Sequence, residues 1–450
     1  MELPQRVQWI LERLTQRGYA AYAVGGCVRD SLMGQVPADW DVCTSALPEE
    51  TETCFADCRV IETGLKHGTV TVIAAGEPFE ITTFRRDGDY VNHRTPEQVA
   101  FVDALEEDLL RRDFTINAMA AGLDGTVRDP FGGQADLRDR VIRCVGDPDR
   151  RFQEDALRIL RAMRFAARLE FSVDPDTAAA MERNRELLRT ISGERIYKEL
   201  TGILTGRDAA PVLERFGSVL RVILPEIGPA MGFLQHNPYH DKDVWGHTLE
   251  AIGKSEPDKL VRWTLLLHDL GKPDTFTLDS RGIGHFYGHP RRSEELARQI
   301  FARLHVDKDT AEAVCTMVRH HEGSAPIDKK NVRRWIGKLG PELLEKLLEV
   351  KRADALAHVE TDGSRARYQD ILAFTALTEQ VIGEEPCFTV RDLAINGRDV
   401  LAQGVPSGPA VGAALEQLLL EVQEDQIPNA REALLLRLHE ILRKGYNHAD

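Results

Sequence analysis

Signals for β-structure stop near Asp147, about a third of the way along this 450-residue chain. Before that point, short β-rich runs such as Thr69-Val70-Thr71-Val72-Ile73 and Phe79-Glu80-Ile81-Thr82-Thr83-Phe84 alternate with helical segments and are punctuated by Gly64, Gly68, Gly76 and Gly88. After it, apolar residues recur at the helical period, through Leu157, Leu160, Met163 and Ala167 to Leu200 and beyond. A compact α/β module followed by helices is therefore expected. Val7, Ile10, Leu11 and Leu14 share a helical stripe, which predicts an amphipathic helix packed on the first module. Breaks at 202–208, around Pro238, at 279–288 and at 383–386 divide the helical part.

The chemistry sits early. The apolar run Ala21 to Val24 enters Gly25-Gly26-Cys27-Val28-Arg29-Asp30, and Asp39 and Asp41 follow nine and eleven residues after Asp30 in Asp-Trp-Asp. On a strand, residues i and i+2 share a face, so the two carboxylates lie side by side and call for a hard cation. The glycine pair frees a turn of side chains, letting backbone N–H groups approach a triphosphate while Arg29 offers a fork of donors. This order of parts reads as a metal-dependent nucleotidyltransferase site. Nucleotidyl transfer needs the attacking hydroxyl and the α-phosphate held by two cations, and Glu80, opening an alternating strand, is the candidate third carboxylate.

Arg111-Arg112-Asp113-Phe114-Thr115-Ile116-Asn117 mixes donors for phosphate with an acid and an amide suited to ribose hydroxyls; alternatively, Asp113 caps a helix. Asp129-Pro130-Phe131-Gly132-Gly133 is a tight turn. Within Glu154 to Phe165 a continuous helix would set Asp155 and Arg158 one turn apart, either as an intrahelical salt bridge or as an acceptor and donor matched to a base edge, with Arg161 and Arg164 free for phosphates.

The net charge of −15 argues against indiscriminate nucleic-acid binding but not against a basic groove, since nine arginines fall between Arg138 and Arg168. Seven scattered cysteines without a CxxC pair, no apolar run of membrane-spanning length and no basic-then-apolar leader at Met1 predict a reducing, cytoplasmic setting with no membrane partner. Cys54 and Cys58 read as free thiols. The oligomeric state is left open.

Taken in order, GGCVRD, DWD, EITTFR, RRDFTINA, DPFGG, EDALRILRAMRF and SGERIYKEL resemble the class II CCA-adding enzymes, the tRNA nucleotidyltransferases grouped with bacterial poly(A) polymerases. The resemblance implies template-free addition of C, C and A from CTP and ATP to the tRNA 3′ end, with contacts to the acceptor stem. It assigns Mg²⁺ to Asp39 and Asp41, the triphosphate to Gly26 and Arg29, ribose to Arg112, Asp113 and Asn117, the base to Asp155 and Arg158, and phosphates to Arg161 and Arg164. Asp87 to Pro96 resembles the loop tied to the switch from C to A addition, and Thr63 to Val70 has the form of the tRNA enzymes. Addition of A alone or CC alone, and polyadenylation, stand as alternatives.

A second set, His247, His268-Asp269 within Leu-Leu-His-Asp-Leu-Gly-Lys, His289, His320-His321 and Asp354, combines imidazole and carboxylate donors suited to a divalent transition metal or Mg²⁺. It resembles the HD phosphohydrolases. That resemblance places one metal on His247, His268, Asp269 and Asp354 and a second on His289 and His320, with Lys272 near phosphate, and implies phosphohydrolase action on RNA ends as an additional or, alternatively, the main activity. The expected architecture is α+β: a small mixed-sheet head over 1–145, a helical neck over 146–225, a helical HD domain over 226–360 and a helical, tRNA-binding tail over 361–450.

Overall fold

The structure, a computed structural model, describes residues 1–450 except 63, 65–67, 75, 89, 92–94, 97–98, 324, 385–387 and 446–450. Residues 89 and 92–94 of the switch loop expected at 87–96, and 63 and 65–67 of the segment 63–70, thus lie outside the described residues. Two compact units are formed, one by 1–228 with 300–306, the other by 229–299 with 307–450.

The first unit is built on a seven-stranded sheet. Its strands are β1 (Ala21–Val24), β2 (Val42–Thr44), β3 (Arg59–Ile61), β4 (Thr69–Ala74), β5 (Glu77–Thr83), β6 (Ala120–Ala121) and β7 (Val127–Arg128), in spatial order β7-β6-β1-β2-β5-β4-β3. Only β2 and β5 pair in parallel; all other neighbours are antiparallel, so the sheet is mixed. Helix α1 (Gln5–Gln16) turns Val7, Ile10, Leu11 and Leu14 onto it, where they share one core with Val70, Val72, Phe79 and Ile81. Leu11 and Leu14 are fully buried, and truncating such a leucine to alanine costs about 2–5 kcal/mol.

Helix α2 (Gly26–Leu32) follows β1 directly, and α3 (Gly133–Asp139) is capped by Asp129, whose carboxylate accepts the N–H groups of Gly133 (2.7 Å) and Gln134 (2.9 Å). A side chain at Gly133 has no room, because its Cβ would stand 2.3 Å from the Thr115 carbonyl oxygen. That contact seats the short turn Thr115–Asn117. The single helix expected through Glu154 to Phe165 is broken: α4 (Pro148–Glu154) ends, Asp155 is extended (φ −137°, ψ 104°), and α5 (Leu157–Leu169) begins with its first N–H accepted by Asp155 Oδ1 at 3.1 Å. Helix α6 (Gly193–Leu204) packs along α5.

The second unit is mostly helical, with one short antiparallel pair of strands, Thr277–Leu278 and Gly284–His285, that the helical reading did not anticipate. It contains α7 (Val244–Lys254), α8 (Lys259–Leu267), α9 (His289–Arg303, its later residues belonging to the first unit), α10 (Lys308–His320), α11 (Pro341–Leu356) and α12 (Asp362–Gly383). Aspartates 243, 258 and 307 cap α7, α8 and α10. Helix α8 packs on α10 and α11, and α7 on α11. Further on, α13 (Pro409–Gln423) and α14 (Arg431–Gly445) enclose a separate small core of Leu393, Val400, Leu415, Leu418, Leu434 and Leu438. Among the described residues no helix is long and apolar enough to cross a membrane.

Gly133→Ala tests the seating of the Thr115–Asn117 turn. Overpacking against an immobile carbonyl lowers stability by about 1–3 kcal/mol, and a fall in thermal midpoint of the variant checks it.

Candidate active site and a histidine-rich metal centre

The parallel pairing of β2 with β5 sets Val42 opposite Ile81, so the residues just before them, Asp41 and Glu80, are neighbours across the two strands. Asp39 and Asp41 lie not on the strand, as expected, but in the extended chain leading into β2; the Asp41 carbonyl accepts the Val24 N–H at 3.0 Å, which ties that chain to the end of β1. Asp41 faces an open cleft, yet its carboxyl is pushed up to about 6 by desolvation against the cleft walls and by the charges of Asp39 and Glu80, with Arg112 opposing. Three oxygen donors whose charges hinder one another fit a hard cation such as Mg²⁺.

Gly25, which ends β1, holds φ +85°, and a Cβ there would stand 3.0 Å from Arg112 Nη1. At Gly26 a Cβ would meet only Arg29 Nη2, at 3.7 Å, leaving the space over that peptide free. Arg29 Nη1 donates to Asn117 Oδ1 (2.7 Å), Asn117 Nδ2 to Asp113 Oδ1 (3.3 Å), and Arg161 Nε to Asp113 Oδ2 (2.8 Å). Asp113 does not cap a helix; it joins the α2 arginine to the α5 arginine. Its burial alone would raise the carboxyl pKa, but Arg161 and Arg158 hold it down at about 2. Arg112 is braced by the fully buried Asp108 (3.2 Å), which also takes Arg111 at 2.8 and 3.0 Å.

Asp155 and Arg158 come together at the cleft but not as a pair. Arg158 is held by Glu154 (2.9 Å) and by the carbonyl oxygens of Arg151 (3.2 Å) and Arg111 (3.0 Å), while Asp155 accepts Arg195 Nη2 at 3.0 Å. The salt bridge that spacing alone suggested is absent because the helix breaks between them. Arg164 pairs with Glu199 (2.6 Å) and lies over the Phe165 ring, as do Arg29 and Arg161, with centroid distances of 4.5, 5.3 and 5.7 Å. The cleft encloses about 780 Å³, and nine arginines and four aspartates line it, so it suits a polyanion despite the acidic chain. Arg195 and Phe165 also line the cleft and Asp108 braces two of its arginines, none of them singled out by the motif reading. Arg195 stood within a quoted motif, but nothing in its spacing linked it to Asp155.

In the second unit, ligand-capable atoms of His247, His268 and Asp354 lie within 4.8 Å of one another, as do those of Asp269, His289 and His321. His321, not His320, joins this set. His320 turns away to Lys338 (3.0 Å) and the Trp335 ring (5.3 Å), because successive helical residues point about 100° apart. The buried stripe of α10, Thr310, Val314, Met317 and Val318, continues at 321.

Each histidine of the set turns Nδ1 to a main-chain oxygen: His247 to Ala357 (3.3 Å), His268 to Leu265 (2.7 Å), His289 to Phe286 (2.9 Å) and His321 to Val318 (2.7 Å). A carbonyl only accepts, so at His268, His289 and His321 Nδ1 carries a proton and Nε2 points inward, the arrangement of metal-ligating imidazoles, while His247 Nε2 stands 2.9 Å from Asp354 Oδ1, a pair of atoms that a proton or a cation must bridge. His289 Nε2 and His321 Nε2 stand 3.1 Å apart, and His268 Nε2, shut off from solvent, has no hydrogen-bond partner. Burial would keep His268 neutral, yet Asp269 and Asp354 draw a proton onto it and raise it to about 10. The cluster demands positive charge, and its donors fit divalent cations. Lys272 Nζ reaches Asp269 Oδ2 (2.7 Å) and Gln235 Oε1 (2.8 Å), and Arg367 reaches Asp354 Oδ2 (3.0 Å), at the wall of a cavity of about 540 Å³.

Residues 21–143 match the Poly A polymerase head domain, residues 170–231 the probable RNA and SrmB- binding site of polymerase A, and residues 243–358 the HD domain. The CCA-adding enzyme of Levilactobacillus brevis is 36% identical over 432 residues, which is 95% of each chain. The chain belongs to the CCA-adding enzyme family. The CCA-adding enzyme of Geobacillus stearothermophilus is 37% identical over 400 residues, 80% of this chain and 95% of that one. The crystal structure of the Bacillus stearothermophilus CCA-adding enzyme in complex with CTP matches at a TM-score of 0.73 and 30% identity, covering 100% of both chains.

For this member of the CCA-adding enzyme family, Asp113 gives a test of the cleft's internal electrostatics. A carboxyl held below its unfolded value contributes stability that is fully present above about pH 4 and is lost as pH falls toward about 2. Asp113→Asn removes about 2 kcal/mol at pH 7 and flattens the decline between those values, as read by denaturant unfolding across pH.

Proposed function

We propose that the cleft of the first unit adds C, C and A, drawn from CTP and ATP, to the 3′ end of tRNA without a nucleic-acid template. The observation that carries this reading is the convergence of Asp39, Asp41 and Glu80 at one end of a cleft lined by nine arginines, in a chain of the CCA-adding enzyme family. Asp39 and Asp41, with Glu80, would hold Mg²⁺, which when bound supplies the charge that activates the tRNA hydroxyl and offsets the α-phosphate. Arg29 and the open peptide at Gly26 receive the triphosphate, Arg112, Asp113 and Asn117 position the ribose, and Arg161 and Arg164 face phosphates.

Base choice rests on the Asp155 carboxylate and the Arg158 guanidinium. C and A each present an exocyclic amine beside a ring-nitrogen acceptor, which an acceptor and a donor satisfy together. U and G present a carbonyl oxygen beside an N–H, the reverse order, and leave both protein groups unpaired. Arg158 is already fixed by three oxygens, and Arg195 aims Asp155. A cytoplasmic setting is consistent with these substrates.

The His and Asp centre supports a second activity, hydrolysis of phosphoesters such as a 2′,3′-cyclic phosphate at RNA ends, with Lys272 and Arg367 placed to receive the phosphate.

A tRNA transcript lacking its CCA end is extended by two residues with CTP and by a third, then no further, with CTP and ATP; Asp39→Ala/Asp41→Ala abolishes both. Unlimited A addition, or a stop after CC, would overturn the reading. Arg195→Met frees Asp155, costing about 1–3 kcal/mol of nucleotide selection, seen as a fall of about 5- to 150-fold in the CTP to UTP ratio of kcat/KM.

A further inference from the structure

Two histidines outside the HD pattern carry the same mark as those within it. His358 lies one turn beyond Asp354 and turns Nδ1 to the Asp354 carbonyl oxygen at 2.8 Å. His240 Nδ1 stands 2.8 Å from Asn237 Oδ1, an oxygen that also accepts the Tyr239 N–H (3.1 Å) while the Asn237 amide donates to Gln235 O (3.5 Å). That amide is therefore oriented with its oxygen toward the ring, and His240, like His358, keeps its proton on Nδ1 and its lone pair on Nε2. His240 Nε2 is shut off from solvent and has no hydrogen-bond partner.

The His240, His247 and His358 rings are mutual neighbours, with centroids 4.5, 4.8 and 5.0 Å apart, and one ligand-capable nitrogen of each lies within 4.8 Å of the others. A polar ring with a buried, unused lone pair beside two others is costly unless a cation takes it.

We propose that His240, His247 and His358 form a third cation position beside the two that the HD reading assigns, and that it takes a borderline divalent transition ion such as Zn²⁺ rather than Mg²⁺. Three nitrogen donors and no carboxylate set that preference. His247 has one inward lone pair, so when this position fills, the first is left with His268, Asp269 and Asp354, a set still able to hold a cation with water. The proposal rests on the reading of this centre as a metal site.

The test is metal content. The full chain, carrying Asp39→Ala/Asp41→Ala to silence the other site, is stripped with chelator, dialysed against micromolar Zn²⁺ and assayed by plasma mass spectrometry. About three ions per chain are expected, and about two for His240→Gln/His358→Gln, whose side chains retain an amide donor and near-native volume; His358→Gln alone is a second, milder variant. Overlay of far-UV circular dichroism between the chelated proteins confirms the fold. Equal zinc in parent and variants overturns the third position: about two ions in both leaves the HD centre standing, whereas zinc that is absent from the parent removes the HD reading as well. Mg²⁺ in place of Zn²⁺ is expected not to distinguish parent from variants.

Discussion

The buried carboxylate of Asp113 is the constraint on which the first unit's cleft depends. It lies between the arginine of α2 and that of α5, and through Asn117 it couples the turn after β1 to the helical segment that follows the sheet. A charge in that position is tolerated only because Arg161 and Arg158 compensate it. The guanidinium groups are thereby fixed in direction before a ligand arrives, and little reorganisation remains to be done on binding. Asp108 does the same for Arg111 and Arg112 from the opposite side.

The two candidate sites differ in donor chemistry. Around Asp41 the donors are carboxylate oxygens at the open end of a cleft; around His268 they are imidazole nitrogens with two buried carboxylates. Carboxylate oxygens suit hard cations and imidazole nitrogens borderline ones, so the two sites differ in the class of cation their donors fit. Both sites have an excess of electron pairs turned inward, visible as a raised Asp41 carboxyl in one and a proton held on His268 in the other.

Much of this was legible in the sequence wherever a short-range period decides direction. The order of motifs pointed to Asp39, Asp41 and Glu80 together, although Asp39 and Asp41 precede β2 rather than alternating along it, and the helical stripe of α1 located its buried face. What failed depended on contacts distant in the chain. A helix drawn through Glu154 to Phe165 is locally reasonable, but Asp155 is drawn out of it by its own side chain and by Arg195, forty residues on. Choosing His320 over His321 was avoidable, since the apolar stripe of α10 runs through 321. His240 had no such signal, whereas His358 follows Asp354 by four residues, just past the end of α11.

The arginine-lined cleft sits in a chain whose net charge is −15, so the acidic excess must lie elsewhere on the molecule. A nucleic acid is attracted to the arginines of the cleft although the chain as a whole is acidic. The charge distribution thus acts as a torque that orients the incoming strand over the last ~10 Å, the range that salt leaves unscreened. That attraction is the same for every phosphate of the polyanion, so the field brings the strand to the cleft and leaves the choice of its 3′ end to the contacts made inside.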